Sequence, residues 1–292
     1  IIALRRSRRT DSIASLNSQV SLHGDSVLRH HTTLMNPRIG FVTSVASALE
    51  PQLRFAGEGE FDYVEVLMDG PHTHERLASK AATIEQSLDE HGLDLLVHLP
   101  FPTDIGSPYE PVRTGAVDTQ QTCLNVAAEL GAEKAVLHPE SSAWSVAWDD
   151  AELREYIDGS VADLTAYGAA RNVEICAENI FESPYTIEHI DELLAATNAS
   201  LTLDTGHARV TGYDATETAA FVADHADRIS HVHLNDTRRP ADEHLPFGAG
   251  NLDFEPIFDA FPSDWCGTLS LEVGTQALDY LRESRSQLGQ FL

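Results

Sequence analysis

The segment ISHVHLNDTRRPADEHLPFGAGNLDF (229–254) gathers His231, His233, Asp236, Asp242 and His244 where a strand-like run gives way to a glycine-rich turn. Imidazole and carboxylate together, without clustered thiolates, is ligand chemistry for zinc, manganese, iron or cobalt. Alternate residues of a strand share a face, so His231 and His233 point the same way, and at least one is expected to face a site. A lone histidine after a strand is usually capped or solvated, so this cluster means little without partners elsewhere.

The rest of the chain supplies them. His98 ends the run LDLLVHLP (93–100), and His138 ends KAVLHPE (134–140) with Pro139 and Glu140 behind it. Glu178 and Asn179 end VEICAENI (173–180), Asp204 ends SLTLDTGH (200–207) with His207 three residues on, and Glu272 ends GTLSLEV (267–273). Each candidate stands at the C-terminal end of an apolar run. The joint pattern, more than any single residue, implies a metal site.

These runs belong to a larger series that also includes RIGFVTS (38–44), FDYVEVLM (61–68) and ISHVHLND (229–236). Amphipathic stretches lie between them, such as HERLASKAATIEQSLDEHG (74–92) and VDTQQTCLNVAAELG (117–131). The second spaces Cys123, Val126, Ala127 and Leu130 as one helical face and stops at Gly131. Eight strand–helix units predict an α/β fold, a single (β/α)8 barrel, in which chemistry sits at the C-terminal ends of the strands. A doubly wound open sheet is the competing arrangement. No GxGxxG follows the first strand, so no nucleotide cofactor is expected.

Composition sets further bounds. The 292 residues carry 46 acidic and 19 basic side chains, a net charge of −27, and only Lys80 and Lys134 are lysines. Such a surface is strongly hydrated and self-repelling, the pattern of a salt-adapted protein. The three cysteines are far apart and form no CxxC, which suits a reduced, cytoplasmic setting. No apolar run approaches the ~20 residues of a membrane span. Neither lysine is expected at the strand-end rim, so a Schiff-base mechanism has no candidate. Residues 1–35 carry five arginines against two aspartates and are expected to stand outside the domain, which then runs over 36–292. They lack the apolar core of a signal peptide.

LHPE, AEN, LDTGHA, HVHLND, DEHLPFGAG and LEV together resemble the xylose isomerase-like barrels over roughly residues 36–280. That superfamily holds sugar isomerases and epimerases of the tagatose 3-epimerase type, and also endonuclease IV, which cuts DNA at abasic sites. In the epimerases, Glu, Asp, His and Glu hold one metal, and the matching positions are Glu178, Asp204, His233 and Glu272. His207 and Arg239 match substrate-contacting positions. In endonuclease IV nine residues bind three zinc ions. All nine positions are filled here, by that quartet together with His98, His138, His207, Asp242 and His244.

Two chemistries follow. As a metal-dependent sugar or sugar-phosphate isomerase or epimerase, the protein would use a divalent ion (Mn, Zn, Co or Mg) to acidify a C–H beside a carbonyl. Glu178 and Glu272 would move the proton, and His207 and Arg239 would stabilise the enediolate. As a phosphodiesterase, it would direct an activated water at phosphorus, with DNA as partner under this reading alone. The first is favoured, because the loops offer few arginines to grip a duplex and HLPFGAGNLDF resembles the wording of the sugar isomerase-like proteins. DTGHA also departs from the endonuclease, which usually has Cys before that His. Trp144 and Trp148 are candidates for an apolar wall over a sugar ring. The expected partner is a small sugar-like molecule and no membrane; a homo-oligomer stays open.

Overall fold

Every expected strand forms, and all pair in parallel. They are β1 (Arg38–Phe41), β2 (Tyr63–Leu67), β3 (Asp94–His98), β4 (Lys134–Leu137), β5 (Glu174–Glu178), β6 (Ser200–Asp204), β7 (Ile229–Leu234) and β8 (Thr268–Leu271). The computed structural model describes residues 35–292, so the expectation for the leader falls outside the described residues except at Met35, which is half-buried against the hydrophobic core. The order around the sheet is β1-β8-β7-β6-β5-β4-β3-β2. Between β1 and β2 the ring closes through a parallel bridge from Val42 to Glu65. There Thr43 N donates to Glu65 O at 2.8 Å and Asp62 N donates to Ile39 O at 2.8 Å.

The strands end earlier than their apolar runs. Pro100 and Pro139 have no N–H to extend β3 and β4. β6 ends at Asp204 because its carboxylate accepts from His207 N at 2.6 Å and caps the helix that begins at Thr205. His207 therefore sits on a helix, where the run 200–207 suggested a strand.

Helices cover the outside: α1 (Leu49–Glu58), α2 (His74–Ala78), α3 (Ala81–His91), α4 (Glu110–Glu129), α5 (Asp150–Ala169), α6 (Ile190–Ala196), α7 (Thr205–Thr211), α8 (Ala215–His225), α9 (Glu255–Asp259) and α10 (Asp279–Leu288). The stretch 74–92 divides into α2 and α3 at Ser79 and Lys80. This turn lets α2 lie by α4 while α3 packs on α1. Among the described residues no helix is long and apolar enough to cross a membrane. Cys123 and Cys176 are buried, Cys266 is exposed, and all three are free.

Alternation along each strand divides the interior in two. On β3, Leu95 and Val97 join the hydrophobic core under the helices, and Leu96 and His98 take the other face. The same split on β7 gives Val232 and Leu234 to the core and His231 and His233 to the barrel interior. The barrel centre is consequently polar, with Tyr63, Glu65, Thr202, His231, Thr268 and Ser270 all fully buried. Gly40 makes room for this filling: a Cβ there would stand 2.4 Å from the Tyr63 ring. Buried Lys134 closes the bottom of the barrel, donating to Ser230 O at 2.6 Å and Thr268 Oγ1 at 3.1 Å, remote from the rim as its place in sequence implies.

Candidate metal centre

Strand register sets the ligands level. Asp204 pairs with His233 across β6 and β7, and Glu178 stands beside Thr202 across β5 and β6. Glu178 is the hub. Its Oε2 lies 3.2 Å from His138 Nε2 and 3.7 Å from His98 Nε2, and its Oε1 lies 3.2 Å from His207 Nδ1 and 3.4 Å from His233 Nδ1. His233 Nδ1 is also 3.3 Å from Glu272 Oε2 and 4.0 Å from Asp204 Oδ2. Asp242 Oδ1 is 2.7 Å from His244 Nε2 and 3.9 Å from His207 Nε2, which makes a second focus on the β7 loop.

All nine expected ligands thus meet at one rim. Three sets drawn from these nine bring ligand atoms within 4.8 Å of one another: Glu178, Asp204, His233 and Glu272; His98, Glu178 and His233; and His207, Asp242 and His244; a fourth set, Glu65, His231 and His233, is fully buried beneath them. The donor set fits a divalent ion on an independent ground. Glu178 Oε1 and Oε2, His233 Nδ1 and Glu272 Oε2 are buried atoms with no hydrogen-bond partner among the described residues. Buried polar atoms are rarely left so, and a convergent group of them matches what a cation would satisfy.

The surroundings aim the rings. His98 Nδ1 is 2.9 Å from Leu99 O and His207 Nδ1 is 3.1 Å from Asn179 O, so each Nδ1–H donates to a carbonyl, leaving His98 Nε2 toward Glu178 and His207 Nε2 toward Asp242. Asn179 also ties β5 to β6, its amide donating to Asp204 O at 3.1 Å and its oxygen accepting from Asp204 N at 2.8 Å. Phe101 stacks on His138 with centroids 5.4 Å apart, and Phe181 lies 5.1 Å from His207.

Asp236 is not among the ligands. Its carboxylate is buried and accepts from four backbone N–H groups of its own loop: Thr237 (2.8 Å), Gly248 (3.1 Å), Gly250 (2.8 Å) and Leu252 (3.1 Å). A Cβ at Gly250 would stand 2.2 Å from Asp236 Oδ1, so the clamp needs glycine there. The clamp fixes the loop that carries Asp242 and His244.

Burial and neighbouring charges shift the acid–base groups of the cluster in opposite directions. Burial raises Asp204 to about 7, aided by Glu272 and Glu178. Burial lowers His207 and His244, but Asp204 and Glu178 lift the first to about 10, while Glu272 and Asp242 lift the second to about 9. Burial would raise Glu178 and Glu272 too, yet neighbouring imidazoles, His233 foremost, hold both well below the ordinary carboxylate range.

A cavity of about 240 Å³ opens on this rim, with Leu67, Phe101, Ile180 and Phe181 as apolar walls and Glu140, Asp242, His244 and Glu272 among its polar groups. Arg239 is 75% exposed, 3.9 Å from Glu243, and lies outside this lining. Trp144 is 70% exposed and also outside it, and Trp148 packs edge-on against Tyr109. Sequence reasoning assigned no role to two acids, the half-buried Glu140 and the fully buried Glu65. One is Glu140, raised to about 7 by burial and by Glu178 and Asp104. The other is Glu65 beneath His233, held well below the ordinary range by His233 and His231 against its burial. Glu140 was open to notice as the residue after His138–Pro139; nothing local marks Glu65.

An eight-stranded parallel barrel with metal-type ligands at its strand ends defines a class, and comparison makes it specific. Residues 53–289 match the family described as xylose isomerase-like TIM barrel, and the chain belongs to that family. It is 25% identical over 240 residues to an uncharacterised protein of Methanocaldococcus jannaschii, covering 77% of this chain and 79% of that one. It is 27% identical over 232 residues to a probable endonuclease 4 of Mycobacterium marinum, covering 75% and 87%. A crystal structure of a D-tagatose 3-epimerase-like protein superposes with a TM-score of 0.75 at 23% identity over 87% of this chain and 96% of that one, a likeness of fold.

Proposed function

We propose that this protein is a divalent-metal-dependent isomerase or epimerase acting on a small open-chain sugar or sugar phosphate through an enediolate. The cavity carries this reading. It holds about 240 Å³, has apolar walls beside the ligand rim, and among the described residues has no lysine or arginine in its lining. That volume suits one small molecule, and gripping a duplex takes several cations. The lack of a lining cation favours an uncharged sugar.

Glu178, Asp204, His233 and Glu272 would hold the central ion, which supplies polarisation of a carbonyl and acidity to the neighbouring C–H. Glu178 is buried among four imidazoles, which suits a ligand more than a proton carrier. Glu272 is 16% exposed and reaches the cavity, so it is the carboxylate placed to take the proton. Glu140 lines the same cavity and titrates at about 7, so it returns one. His207 beside them donates to the enediolate oxygen.

One observation favours a second reading, phosphodiester hydrolysis at a multinuclear centre. Glu178 turns its two oxygens to different imidazole pairs, and Asp242 forms a separate focus with His207 and His244. Curated relatives named probable endonuclease 4 point the same way.

Incubation with a panel of ketoses and ketose phosphates in D2O and molar KCl tests the proposal, because reversible enediolate formation exchanges one carbon-bound proton for deuterium. Chelator-sensitive exchange supports it. No exchange across the panel, together with three zinc ions per chain and efficient nicking of abasic duplex DNA, replaces it with the second reading.

A further inference from the structure

We propose that Glu65 is a positioning residue that turns His233 Nδ1 toward the central cation and so sets the affinity of that one site. The inference rests on reading the centre as a metal site. Glu65 lies in the middle of β2, fully buried, one layer beneath the ligands. Its Oε1 is 3.0 Å from His233 Nε2, and its Oε2 is 3.0 Å from His231 Nε2 and accepts from Ser270 Oγ at 2.5 Å. A carboxylate only accepts, so both Nε2 atoms carry hydrogen. The remaining nitrogen of His233, Nδ1, then faces Glu178, Glu272 and Asp204.

His233 differs in this from its neighbours. His98 and His207 rest their outer nitrogens on the carbonyls of Leu99 and Asn179, which no side-chain change removes. His233 depends on one side chain from a strand across the barrel. A carboxylate is also the stronger acceptor, and it raises the basicity of the ring it holds. Glu65 is held in turn: Tyr63 OH is 3.0 Å from Ser270 Oγ, and His231 Nδ1 is 2.7 Å from Thr268 Oγ1.

The test titrates Co²⁺ into metal-free wild type, E65Q and E65L in molar KCl. Visible absorption and a competing chromophoric chelator follow each binding step. E65L should weaken the His233-containing site roughly 10–100-fold and alter its spectrum, as loss of an outer partner does elsewhere. E65Q keeps one acceptor oxygen and should fall between E65L and wild type. Where the second reading holds and a further ion binds at His207, Asp242 and His244, that step should keep its affinity in both. Unshifted affinity and spectrum in E65Q overturn the proposal even where E65L does not fold. Equal loss at both sites with a lowered Tm overturns it too, leaving Glu65 a structural role alone. Wild type that takes up no Co²⁺ refutes the metal reading itself, a separate outcome.

Discussion

His233 Nδ1 and Glu178 Oε1 lie 3.4 Å apart in the closed interior of the barrel, and neither has a hydrogen-bond partner. A cation between them would satisfy both. Glu178→Gln replaces the hub by an amide, a poorer ligand. Metal affinity should fall by more than the roughly 10–100-fold typical of losing an outer partner, while far-ultraviolet circular dichroism stays unchanged. A variant that binds metal and turns over like wild type rules out Glu178 as the hub.

Metal affinity should rise with pH. Neighbouring carboxylates push His207 up to about 10 and His244 up to about 9, and burial pushes Asp204 up to about 7, so the metal-free protein holds protons on and around the proposed quartet at neutrality. Both histidines are raised and hold protons below those values, and Asp204 is raised and half-protonated near 7. A bound cation expels the Asp204 proton and is repelled by the two protonated imidazoles beside it, so affinity strengthens as pH climbs from about 7 to about 10 and weakens below. Calorimetry in buffers of different ionisation enthalpy counts the protons released. A count of zero at pH 7 contradicts the assignment.

Asp236→Ala should cost stability and one cation focus together. It strips four loop N–H groups of their acceptor, at about 1–3 kcal/mol for each that stays buried and unpaired. Thermal melts should show the drop. Metal titration should show the Glu178 step retained and, under the multinuclear reading, loss of the Asp242–His244 step. Normal binding at the loop step would mean the clamp does not position it.

Glu140→Gln should lower turnover by roughly 10²–10⁴-fold, the usual worth of a general acid, while leaving metal content intact. It should also abolish any limb of the rate profile near pH 7, where this carboxyl titrates. Deuterium exchange and product formation are the two readouts, and wild-type rates in both would remove Glu140 from the chemistry.

The barrel and its rim were legible in the sequence because both rest on local properties. A strand end is set by where an apolar run meets proline or a capping aspartate, as at His98, His138 and Asp204, and period-two alternation names the face each residue takes. Parallel barrels bring all strand ends to one rim, so nine candidate ligands read from separate segments had to become neighbours. What crosses the barrel was not legible. Glu65 is simply the third residue of a five-residue strand, and only closure of β1 on β2 carries it under His233. Asp236 has the residue type of a ligand, and only the return of the glycine-rich loop over it makes it a clamp. Spacing alone could not show that Arg239 and Trp144 stand in solvent, because a long side chain on a loop takes its direction from tertiary neighbours. Local pattern determines which residues reach the rim; distances between strands far apart in sequence decide which of them touch, and these exist only once the ring has closed.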